Sequence, residues 1–155
     1  MASLGMLLAL ALRLMAAAPE AEDLAVIVHP GNPVQELSSS ELREILRCER
    51  QHWRGSGRIY LVLPASGSVE KELLLRRALG MNEDQLHRLY LSKLYAGEIS
   101  SFPRVVVSWT AARRVVARAQ HAIAVIPASA VADDVRVLRI QGRRPGEAGY
   151  LLGTR

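Results

Sequence analysis

Apolar residues fall along this chain in short blocks, and their period alternates between strand-like and helix-like. Leu24-Ala25-Val26-Ile27-Val28 is a continuous apolar run of buried-strand type. His29-Pro30-Gly31-Asn32-Pro33 breaks it with turn residues. Ser38, with Glu41 three residues on, forms a capping box. Leu42, Ile45 and Leu46 then give a buried helical stripe, with Arg43, Arg47 and Arg50 on the outer side. After Trp53 and the Gly55-Ser56-Gly57 turn comes a second strand run, Ile59-Tyr60-Leu61-Val62-Leu63. Pro64-Ala65-Ser66-Gly67-Ser68 is a turn, residues 69–79 read as helix, and Gly80 is placed to stop it. This opening order of strand, helix, strand, helix implies parallel pairing through right-handed crossovers.

The later pattern continues in kind. Asn82 and Gln85 form a second capping pattern, Leu86, Leu89, Tyr90 and Leu94 recur at helical spacing, and Gly97 ends the element. Residues 104–108 predict a strand, and Thr110 is expected to cap a helix running to Ala119 with Val115 and Val116 inside. Residues 122–126 are a further strand stopped by Pro127, and 135–140 the last, although Leu138 breaks strict alternation.

The ends differ from this body. Residues 4–18 are apolar apart from Gly5 and Arg13 and finish in Met15-Ala16-Ala17-Ala18. A short apolar core followed by small residues is the pattern of a secretory signal, too short for a span that needs about 20 apolar residues. The expected organisation is therefore a signal peptide over 1–18, a linker over 19–23, one domain over 24–141 and a loose Gly- and Arg-rich tail over 142–155. The expected location is periplasmic or secreted, with no membrane insertion after cleavage.

Composition narrows the function. At 155 residues, 50% hydrophobic and 23% charged, the chain suits one globular domain. The net charge is +5 and almost all of the excess is Arg, the lysines being Lys71 and Lys93. The arginines are scattered and no aromatic residues interleave with them, which argues against a nucleic-acid surface. His29, His52, His87 and His121 lie far apart without metal-ligand spacing, and no metal or other cofactor is called for. Cys48 is the single cysteine, read as a part-buried small residue. Trp53 and Trp109 read as core. No paired carboxylates and no Gly-x-Ser-x-Gly elbow are present, so a hydrolase ranks last and the chain reads as a non-enzyme.

The candidate chemistry sits in the turn after the second strand. A strand feeding a Ser-Gly-Ser turn and then a helix leaves backbone N–H groups open at a helix start, where an anion can bind. The candidate ligand-binding residues are Ser66, Gly67, Ser68 and Val69, the backbone N–H groups of the last three with a Ser hydroxyl as an added donor. The competing reading is that Ser68 simply caps the helix.

The order of Val26-Ile27-Val28, Leu37-Ser38, Leu42, Ile45, Leu46, Trp53, Gly57, the second strand and Gly67-Ser68 resembles the phosphate-binding proteins of ABC importers, and their second lobe in particular. The run His121-Ala122-Ile123-Ala124-Val125-Ile126 is similar to a later strand of that family. The resemblance implies an α/β fold: a single three-layer lobe with a mostly parallel mixed sheet and helices on both faces, of type 2 periplasmic-binding-protein kind. It also implies phosphate or a similar small anion as ligand, and a second lobe or partner protein over the same loop. The departures are as informative. The family's Arg before the Gly-Ser pair and Gly-Thr after it are replaced by Pro64-Ala65 and Val69-Glu70, and Cys48 stands where the family usually has Gly. Two readings stay open: an exported solute-binding-type domain with weak anion binding at the 66–68 turn, or a periplasmic interaction module that has lost solute binding.

Overall fold

The computed structural model describes residues 22–154. The expected signal peptide over 1–18 and most of the linker lie outside the described residues. The elements in chain order are strand β1 (Leu24–Val28), β2 (Glu36–Leu37), helix α1 (Ser39–Leu46), β3 (Tyr60–Leu63), α2 (Val69–Leu74) running into a π-helical turn (Leu75–Leu79), α3 (Glu83–Tyr95), β4 (Arg104–Val105), α4 (Trp109–Arg118), β5 (Ala122–Pro127), a 3-10 turn (Ala128–Ala130), β6 (Arg136–Val137) and β7 (Arg139–Ile140).

Five strands form the main sheet in the order β4-β3-β5-β1-β6, and β2 pairs with β7 beside it. The sheet is mixed. β3 runs parallel to both β4 and β5, and β2 runs parallel to β7. β1 runs antiparallel to both β5 and β6. The expected parallel pairing of the first two long strands therefore does not occur, because β5 inserts between them. Local pattern cannot reveal that insertion, since the partner lies about a hundred residues away in sequence.

Alternation along β1 divides the core into the two faces of a three-layer lobe. Leu24, Val26 and Val28 join the apolar side of α1, α2, the π-helical turn and α3. Ala25 and Ile27 join α4, through Ala112 and Val116. All five β1 residues are buried, which is why the run reads as continuously apolar.

The caps follow the sequence closely. Ser38–Glu41 and Asn82–Gln85 both close full capping boxes. Gly80 ends the π-helical turn at φ 63°, in the left-handed region. Cys48, at the end of α1, also takes a left-handed φ of 57°, a conformation glycine adopts without strain. Burial pushes the Cys48 thiol up to about 11.

Four further expectations are corrected. The strand over 104–108 stops after Val105, and Val107 turns out into solvent. Helix α4 is capped by Ser108, whose hydroxyl accepts from Ala111 N–H, not by Thr110. The run over 135–140 is two strands in two sheets, and the break falls at Leu138, a fully buried residue between them. The tail is not loose: Tyr150 and Leu152 are core residues, and the Tyr150 hydroxyl donates to Leu24 O at 2.8 Å. Asp23 holds the same segment from the other side, accepting from Gly146 N–H and Thr154 N–H.

Candidate functional site

The candidate loop lies where β3 and β4 end. Both strands point their carboxyl ends the same way, and helices α2 and α4 start there, each under a serine cap. In open α/β sheets that edge is where ligands bind. Gly67 takes φ 74°, in the left-handed region that glycine adopts without strain.

The four residues singled out from the sequence are all at this edge, and their donors are partly engaged. Ser68 Oγ accepts from Lys71 N–H at 3.1 Å, so Ser68 does act as the helix cap. Ser68 N–H donates to Ala65 O at 3.1 Å. Gly67 N–H donates at 3.0 Å to Glu83 Oε2. Val69 is exposed, with its side chain facing solvent.

Glu83 is the residue that local sequence reasoning missed. It stands at the first position of α3, and its carboxylate comes back over the 66–68 turn. Lys71 Nζ lies 3.1 Å from Oε1, an ion pair by distance rather than an aligned hydrogen bond. Lys71 is itself buried, at 6% exposure. Burial alone would raise the Glu83 pKa. The Lys71 ammonium, the Gly67 N–H and the Ser66 hydroxyl outweigh it and hold the carboxyl below its ordinary value. The turn thus already holds an anionic oxygen, and that oxygen belongs to the chain.

A signal for this was present. Lys71, Leu74, Leu75 and Ala78 follow i, i+3, i+4, i+7 spacing, which puts a lysine on the apolar stripe of its helix. A buried lysine requires a carboxylate partner. Which carboxylate could not be read locally.

An apolar rim surrounds the loop. Val69, Val105, Val107 and Trp109 are all exposed, Val107 at 92% and Trp109 at 45%. Trp53 is core as expected, with Nε1 donating to His121 O, but Trp109 is not. A cavity of about 80 Å³ runs between the 64–65 turn and Trp109, with Glu70 on its edge. Among the described residues, no cluster of His, Cys, Asp or Glu is arranged to hold a metal ion.

Similar architecture occurs in solved structures of phosphate receptors. An ABC-type phosphate transport receptor from Vibrio cholerae superposes with a TM-score of 0.70 at 17% identity, over 84% of this chain and 53% of that one. PstS from Borrelia burgdorferi gives 0.63 at 16% identity, over 80% and 49%. The chain shares their fold. A phosphate binding protein from Stenotrophomonas maltophilia gives 0.60 at 13% identity, over 80% and 40%. This chain spans about half the length of the first two of these structures and 40% of the third. No protein-family profile matches the sequence, and no curated protein matches it. No helix among the described residues is long and apolar enough to cross a membrane.

Proposed function

We propose that this chain is an exported, non-enzymatic, solute-binding-type lobe whose anion site is filled by its own Glu83 in the free protein. The observation that carries this reading is the Glu83 carboxylate on Gly67 N–H, backed by the buried Lys71 ammonium. That arrangement supports a turn able to hold an anionic oxygen. It also means that phosphate must displace an internal carboxylate whose effective concentration is high. Glu70, in the first turn of α2, adds a second negative charge against a phosphate. The isolated monomer then binds phosphate in the millimolar range or not at all, about 4 kcal/mol or less. Tighter binding needs further donors from a second lobe or a partner protein over the 66–68 turn.

The alternative is an interaction module without a solute. The exposed rim of Val69, Val105, Val107 and Trp109 favours it, because exposed apolar side chains gathered around a loop suit a protein partner.

Calorimetric titration with inorganic phosphate separates the two. The size-verified wild-type monomer is expected to bind weakly or not at all. Glu83→Ala, which empties the turn and frees the Lys71 ammonium, is expected to bind at least tenfold tighter. Micromolar binding by the wild type would overturn the self-filled reading. A folded Glu83→Ala protein without phosphate binding would leave the interaction module standing. Export is checked by the mass of the mature N-terminus from the native cell, expected to lack residues up to about 18.

A further inference from the structure

A second, basic cavity of about 350 Å³ opens beside the start of β3, and none of the 66–68 residues lines it. Arg58, Tyr60, Ser100, Ser101 and Arg104 supply its polar wall, and Ile45, Ile59 and Ile99 are among its apolar lining. Its third arginine, Arg50, is already neutralised by Glu41 and Glu44 at 3.0 Å each. Arg58 and Arg104 are different. Arg58 Nη2 donates only to neutral oxygens, Gln51 Oε1 at 3.4 Å and Ser100 Oγ at 3.3 Å. Arg104 Nη1 donates to the Tyr60 hydroxyl at 3.2 Å. Neither guanidinium meets a carboxylate among the described residues, and no carboxylate lines the cavity.

This combination has a chemical meaning. A guanidinium carries five N–H donors in a planar fork, and each of these two spends one nitrogen on weak neutral partners that fix its position. The remaining donors and the whole charge stay available at the mouth of a concave, partly apolar space. Several basic groups elsewhere are paired with carboxylates, among them Arg47 with Glu49, Lys71 with Glu83 and Arg113 with Asp134, and what sets Arg58 and Arg104 apart from the other unpaired arginines is that they share the wall of one cavity. Two uncompensated arginines on one cavity with an isoleucine-rich lining fit a ligand with an oxyanion at one end and an apolar body at the other.

We propose that this cavity binds a small organic anion, a carboxylate or phosphate monoester carrying an apolar group, with Arg58 and Arg104 holding the oxyanion. The site is independent of the 66–68 turn, so it stands or falls apart from the reading above.

The test uses phenyl phosphate as probe, with inorganic phosphate and phenol as the two half-ligands, followed by calorimetry and by amide shifts in NMR spectra of the full chain. Saturable binding of phenyl phosphate is expected, with shifts at Ile59, Ser100 and Arg104, and binding at least tenfold weaker for each half-ligand. Arg58→Ala and Arg104→Ala are each expected to weaken it at least tenfold. Arg118→Ala, which removes the same charge from an exposed position on α4, is expected to leave it unchanged. Arg58→Lys keeps the charge without the fork and is expected to give an intermediate loss, which covers the case of an alanine variant that fails to fold. The proposal is overturned by absence of saturable binding, by equal binding of inorganic phosphate, or by an equal loss in Arg118→Ala.

Discussion

The Gly67 N–H donates to Glu83 Oε2 at 3.0 Å across sixteen residues of sequence. This bond, with the Lys71 ammonium 3.1 Å from the other carboxylate oxygen, ties the start of α2 to the start of α3. Glu83→Gln keeps an acceptor for Gly67 but leaves Lys71 buried beside a neutral group. We expect a loss of about 1–3 kcal/mol near neutral pH. The lower end is favoured because the Glu83 side chain is 37% exposed and water screens part of the interaction. The pH dependence gives a second readout. The folded carboxyl is held below its ordinary 4.5, so its contribution is complete above about pH 5 and is lost as pH falls through the depressed value. Glu41 is depressed as well, first by the Ser38 backbone bond, and shares the acid limb. Urea unfolding from pH 3 to 7 should therefore show a shallower acid loss for Glu83→Gln than for wild type. Parallel curves would mean that the ion pair contributes nothing.

Lys71→Met should behave asymmetrically to that change. Methionine matches the lysine stem in length and suits the buried position, while Glu83 keeps its bond from Gly67 and can turn to water. Removing one partner of an ion pair is costly when the other charge stays buried, but the Glu83 side chain is 37% exposed and water is within its reach. The expected cost is smaller than that of Glu83→Gln, within about 1 kcal/mol of wild type by urea unfolding. A larger loss than for Glu83→Gln would place the main stabilising role on the ammonium.

Ser68→Ala removes the acceptor for Lys71 N–H and should cost about 1 kcal/mol. Ser66 is exposed and caps no helix, its hydroxyl reaching only the partly exposed Glu83 carboxylate, so Ser66→Ala should cost less than Ser68→Ala, about 0.5 kcal/mol. Thermal unfolding of the pair side by side decides whether the serine at 68 is a structural cap, as its geometry indicates. Equal effects would remove that assignment.

The parts of this fold that were legible in the sequence are those written within a few residues. Apolar blocks gave β1 and β5, and the spacings Ser38–Glu41 and Asn82–Gln85 gave helix starts, because a cap is a contact between residues three apart. The insertion of β5 between β1 and β3 is set by distant packing, and nothing in either strand's own residues encodes it. The candidate site divided the same way. The 66–68 turn was readable from its Ser-Gly-Ser content, whereas Glu83 arrives there from another helix. Only the lysine on an apolar stripe hinted that a carboxylate had to come.

Trp109 supplies an optical check on the exposed rim. Trp53 is 4% exposed and Trp109 45%, so the two indoles should divide cleanly in acrylamide quenching. Wild type is expected to show one accessible and one protected component. Trp109→Phe should remove the accessible component and leave a blue-shifted emission, with little change in stability because the side chain is half in water. Retention of the quenchable component in Trp109→Phe would mean that Trp53 is the open one and that the rim is wrongly drawn.

The C-terminal segment gives the sharpest test of packing against sequence pattern. Residues 142–149 are Gly- and Arg-rich and exposed apart from the half-buried Pro145, yet Tyr150 and Leu152 return to the core and Leu24 N–H donates to Leu152 O at 3.0 Å. Leu152 is fully buried, so Leu152→Ala removes its burial and leaves a cavity, for an expected loss of about 2–5 kcal/mol. Tyr150→Phe deletes the hydroxyl that Leu24 O accepts from and should cost about 1 kcal/mol. Leu151→Ala, at a half-buried neighbouring position, should cost less than Leu152→Ala. Urea unfolding of the three variants gives the ranking directly. A loose tail would instead show three small and equal effects, and the segment would then have no part in holding β1.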